Sequence, residues 1–185
     1  MRIQNAQRGF SLLEMLLGLA LVFGIVAVIA ATSLSADSSK KTYGAVANLQ
    51  SVITATSRLY GPNQKTSASP YLGLTNSTIG PALDPGMYNA GLIRNAWGGN
   101  ISVVSTNTYG TAGDSYLIIF TAVPTIACSD FVAKAVGVAT TVAVGTQTNY
   151  ALAAGGAPPT GSQIAAACAT GAGTAKYTTV YVANL

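Results

Sequence analysis

Met15 to Ala36 form 22 consecutive positions without a charge, and the first 17, through Ala31, are all apolar or glycine. That matches the roughly 20 apolar residues a bilayer-crossing helix needs, so a transmembrane helix is expected. Upstream, MRIQNAQRG carries Arg2 and Arg8, which by the positive-inside rule places the amino end in the cytoplasm and the rest of the chain outside. A secretory signal peptide fits poorly: its apolar stretch is about 7 to 15 residues and ends in a small-x-small site. Here the run is longer and carries Glu14 near its start. An acid in such a helix is costly unless paired, which makes Glu14 a candidate functional residue.

Composition narrows the chemistry. Only 8% of the 185 residues are charged, where a soluble domain has about 25%. His is absent, and with it go the usual zinc ligand sets, the Ser/His/Asp and Cys/His systems and imidazole acid–base chemistry. The net charge of +4 comes from nine scattered cations, without the basic runs of nucleic-acid binders. The expectation is therefore no enzyme, no cofactor, no metal and no nucleic acid. Asp84, Asp114 and Asp130 are too dispersed to suggest a calcium site. Gly171 to Lys176 lacks the phosphate-loop spacing and precedes a strand-like segment where that motif needs a helix. Asn76-Ser77-Thr78 and Asn100-Ile101-Ser102 match a glycosylation pattern but suit turn chemistry better.

Directly before the apolar run stands Arg8-Gly9-Phe10-Ser11-Leu12-Leu13-Glu14, which resembles the processing motif of type IV prepilins and pseudopilins. The resemblance implies cleavage between Gly9 and Phe10 by a prepilin peptidase, N-methylation of Phe10, and assembly of the apolar helices in a filament core. It also implies that Glu14 faces the new amino terminus. A buried carboxylate is tolerable when an ammonium lies within a few Å, so the pair would mark assembly register. Before cleavage that ammonium does not exist. The partners implied are other copies of the chain, the peptidase, the pilus assembly machinery and, for the precursor, the bacterial inner membrane; the product would be an extracellular pilus.

No proline occurs before Pro62, so residues 10 to 60 read as one helix. Ala20, Gly24, Ala27 and Ala31 recur at spacings of four, three and four, a stripe of small residues suited to close helix packing. Beyond Ala36, Val46, Leu49, Ile53, Thr56 and Tyr60 follow an amphipathic period that would lie against a core. Gly61-Pro62 ends the helix. Lys40 and Lys41 fit a solvated face, with lipid head groups or a neighbouring subunit as alternatives.

The expected layout is a leader over 1–9, an apolar helix over 10–36, its amphipathic continuation over 37–61 and a head over 62–185. Within the head, 63–96 reads as a long connection with room for a short helix. Ile101–Tyr109 and Ser115–Val123 form a hairpin, Ser129–Gly137 a short helix, and Val138–Val144 and Tyr177–Val182 strands. The fold class is α+β, a long helix packed on an antiparallel sheet. Asn95-Ala96-Trp97-Gly98-Gly99 resembles the turn before the first strand of many pilins, with Ala96 where proline is usual.

Cys128 and Cys168 are the only cysteines and would pair in an oxidising compartment; the resemblance strengthens this, since pilins carry a bridge near the carboxyl end. The wide cysteine loop, the long mature chain and the missing helix proline resemble type IVb pilins, including the thin pili of conjugative plasmids. The short leader and Phe10 point instead to type IVa. The functional expectation is a pilus subunit serving adhesion, aggregation or conjugative contact. The alternatives are a pseudopilin of type II secretion or a membrane-anchored binding domain.

Overall fold

A computed structural model describes residues 12–61, 67–107, 110–139, 141–145, 147–151, 159–172 and 177–184. Helix α1 (Leu12–Tyr60) is continuous, as the proline-free stretch predicts, and a single 3-10 residue, Gly61, follows it. The chain divides into Met1–Ser38 and Ser39–Leu185. In the first unit, the described side chains Leu16, Leu19, Val22 and Phe23 are all exposed. The expectation of a transmembrane helix gains no support: among the described residues no helix is long and apolar enough to cross a membrane. The side chains of 24–36 lie outside the described residues, so that part of the run enters only as helical backbone.

The second unit is built on one sheet. Its strands are β1 (Tyr88–Asn89), β2 (Leu92–Arg94), β3 (Asn100–Thr106), β4 (Ser115–Pro124), β5 (Thr141–Val144), β6 (Gln147–Ala151) and β7 (Tyr177–Asn184). They lie in the order β1-β2-β3-β4-β7-β5-β6, with every pairing antiparallel. The expected β3–β4 hairpin is present, from Ile101↔Phe120 to Thr106↔Ser115. The last strand enters between β4 and β5, because helix α3 (Thr125–Ala135) carries the chain away between those two.

Alternation sets the core face: Ile101 and Val103 on β3, Tyr116, Ile118 and Phe120 on β4, Val142 and Val144 on β5, Val180 and Val182 on β7. On β4 the period of two breaks at a bulge between Phe120 and Val123. Ala122 there has φ 55, and Val123, not Ala122, is the next buried residue. The extra residue resets the alternation.

From Ser39 onward α1 closes this face. Its buried stripe is Thr42, Ala45, Leu49, Val52 and Thr56, at spacings of three and four. The expected stripe was slightly rotated. Leu49 and Thr56 are buried as read, whereas Val46, Ile53 and Tyr60 flank the core half-buried. Small residues permit a close approach: a Cβ at Gly44 would stand 3.2 Å from that of Ala96.

Other expectations need correction. The connection after α1 contains helix α2 (Asn76–Ile79), a 3-10 turn at Gly80–Ala82 and the β1–β2 pair, not just a loop with a short helix. The helix expected at 129–137 spans Thr125–Ala135, and the strand expected at 138–144 begins at Thr141. Strand β6 and helix α4 (Gly161–Ala172) were not expected at all. The Gly173–Lys176 part of the phosphate-loop lookalike lies outside the described residues.

Candidate assembly surfaces

The turn 95–99 is a clamp centred on Asn95, whose side chain is buried. Its carboxamide oxygen accepts from the backbone N–H of Trp97 (3.0 Å) and Gly99 (2.9 Å). Its nitrogen donates to the Thr121 carbonyl (2.8 Å). The amide thereby ties the start of β3 to the bulge on β4. Glycine is required at 99, since a Cβ there would meet the Thr121 oxygen at 2.1 Å. Asn76 works similarly, donating to Ile101 O (3.0 Å) and accepting from Val103 N (2.7 Å), so its amide serves the strand edge.

Cys128 on α3 and Cys168 on α4 form a disulfide with Cα atoms 5.8 Å apart, the pairing expected from the sequence. It fastens the two helical excursions on either side of β5 and β6. Phe131, on the same helix as Cys128, packs on Phe120 at 4.9 Å and on Trp97 at 5.2 Å. On the surface Lys134 pairs with Asp130 and lies 4.8 Å from the Tyr43 ring centroid, joining α3 to α1 by a cation–π contact.

Between α1 and the segment 82–96 runs an open groove made of two adjoining cavities, about 370 Å³ and 400 Å³, which share Ala47, Ser51 and Asp84. One continues past Thr54, Ala55 and Leu83 to Arg58. The other continues past Asn48 and Met87 to Arg94. The floor consists of small helix residues, and cations flank it at both ends. Sequence reasoning missed this groove, because its walls come from α1 and from residues 82–96, segments far apart in the chain.

The residues expected to govern processing fall mostly outside the description. Gly9 and Phe10 are not among the described residues, and Glu14, Gly24, Ala27 and Ala31 are described in backbone only. Ala20 is exposed. Around it stand Leu16, Leu19, Val22 and Phe23, between 58% and 66% exposed, an apolar surface of the kind that marks an interaction site. Among the described residues, no group of three or more His, Cys, Asp or Glu could hold a metal.

An antiparallel sheet closed by a long amino-terminal helix, with a disulfide between its two later helices, defines a type IV pilin fold. Two solved structures share it. One is TcpA, a type IV pilin from Vibrio cholerae El Tor biotype, with TM-score 0.56 and 14% identity over 79% of this chain and 99% of that one. The other is a type IVb pilin from Salmonella typhi, with TM-score 0.54 and 18% identity over 76% and 98%. No curated protein matches. Residues 39–183 match the family model described as PilS N terminal, and the chain belongs to that family of pilins. It is a pilin subunit, a structural protein rather than an enzyme, and pilins assemble into extracellular filaments.

Proposed function

We propose that this chain is the precursor of a type IVb pilus subunit that serves adhesion, aggregation or conjugative cell contact. A prepilin peptidase cuts between Gly9 and Phe10, and Phe10 is N-methylated. The leader is 1–9, the assembly helix 10–36, its amphipathic continuation 37–61 and the head 62–185. Before cleavage the uncharged run Met15–Ala36 holds the precursor in the inner membrane, a stage supported by sequence alone. After cleavage the pilus assembly machinery draws the subunit into a filament. There the stripe of Ala20, Gly24, Ala27 and Ala31 allows helices to approach closely, and Glu14 pairs with the Phe10 ammonium of a neighbour.

The observation carrying this reading is the exposed apolar set Leu16, Leu19, Val22 and Phe23, which needs burial against something other than water. Its test is Gly9→Arg, followed by electron microscopy of shed material. The account expects unprocessed chain in the cell envelope and no filaments. Normal filaments from that variant would refute it.

A further inference from the structure

We propose that the space between β4 and β5 is a strand-acceptor site, that residues 177–184 fill it last, and that only subunits closed in this way enter filaments. The inference rests on the filament reading and adds the step that makes a head fit for it. In the sheet, β7 separates β4 from β5 and pairs with both, so the β5–β6 hairpin joins the other strands through β7. Two rows of buried side chains cross the slot. One is Phe120, Val180 and Val144, the other Ile118, Val182 and Val142, and all six are 0% exposed. In each row β7 supplies the middle member. Without it, two apolar rows and the hydrogen-bonding edges of two strands would lie open, and an added strand satisfies both through its backbone and its alternate side chains.

The filling segment is also the last to be made. Synthesis runs from the amino end, so the apolar run and every element from α1 to α4 precede 177–184 in time. The disulfide prepares the closure, since both of its cysteines come before β7. From Pro124 to its strand partner Tyr177 the chain runs 53 residues, but only four lead to Cys128 and nine follow Cys168. Closing a loop of about 13 residues instead of 53 raises the local concentration of β7 at its slot about eightfold, by the −3/2-power dependence on length. A chain with a complete assembly helix and an empty slot therefore presents a different head from a finished one.

The test uses the full-length chain with a protease recognition sequence inserted between residues 174 and 175, purified in detergent and cut there. The cut chain is unfolded in urea with its disulfide intact and refolded with a tenfold excess of a fluorescent peptide of residues 177–185. Heads should recover the thermal transition of the uncut chain, and about nine in ten should carry the labelled peptide. The same peptide with Val180→Asp should be taken up about a hundredfold less well, the effect of losing one buried valine. A head that regains that transition without any strand, or that accepts both peptides equally, overturns the site. So does a cut chain that fails to refold with the peptide where the uncut chain recovers. In cells, full-length Val180→Asp should be processed normally yet be missing from filaments, and its incorporation at the usual level overturns the link to assembly. Unmodified chain that never polymerises defeats the filament reading and that link, while the peptide result still decides the acceptor site.

Discussion

Helix α1 contains two kinds of apolar surface. Downstream of Ser39 one apolar stripe is satisfied within the chain: Ala45, Leu49 and Val52 are wholly buried, while Tyr43 and Leu59, off that stripe, stay exposed. Upstream, Leu16, Leu19, Val22 and Phe23 are exposed on the same unbroken helix. What differs is the partner available, not the secondary structure. The downstream stripe is spaced for one flat neighbour and the chain supplies it. The upstream segment is apolar around its whole circumference, as a helix surrounded by others or by lipid must be. One part of the helix serves folding, and the other remains for association.

That contrast can be attacked from several sides. Replacing Cys128 and Cys168 together by Ser should lower the stability of the head by about 4 kcal/mol, the loop-entropy value for a crosslink of this span. In urea unfolding of the detergent-solubilised chain, helical signal from the upstream segment should persist after the head has melted. A single transition that includes that segment would erase the distinction. Leu49→Ala should destabilise the head by about 3 kcal/mol, because a buried side chain is removed and a cavity remains. Asn95→Ala should lose about 2 kcal/mol in the same assay, leaving the buried Gly99 N–H and the part-buried Trp97 N–H and Thr121 carbonyl without the side chain that serves them. The smallest change in subunit stability is expected for Leu19→Ala, within about 0.5 kcal/mol, accompanied by a clear drop in filament yield. Equal destabilisation by Leu19→Ala and Leu49→Ala would contradict the division.

The sequence was most informative where a periodic pattern ran long. Helix α1 and the β3–β4 hairpin were legible because their apolar spacing repeats over many residues. Even so, the buried stripe of α1 was rotated from its expected position, since Thr42 and Ala45 are buried by close approach to the sheet, which their residue types do not announce. Strands β1 and β2, two and three residues long, are too short for alternation to register among the Pro and Gly turns. Helix α4 was hidden by its alanine and glycine content, though one signal was available. Thr160 and Gln163 form a reciprocal cap, with Thr160 N donating to Gln163 Oε1 at 2.8 Å and Gln163 N to Thr160 Oγ1 at 3.4 Å, the spacing of a capping box. The place of β7 between β4 and β5 is a tertiary outcome without a local signature. The groove was not legible either, because a surface is assembled from segments distant in sequence.

The claim on which the account turns is that the exposed side chains of the upstream helix are covered by other copies of the same chain. Substituting Leu19→Cys and, separately, Lys40→Cys, and reacting each with a maleimide reagent before and after assembly, measures that cover directly. The account predicts that both positions label readily in detergent-dispersed subunits and that in filaments only Lys40→Cys still labels. Equal labelling of the two positions in intact filaments would contradict it.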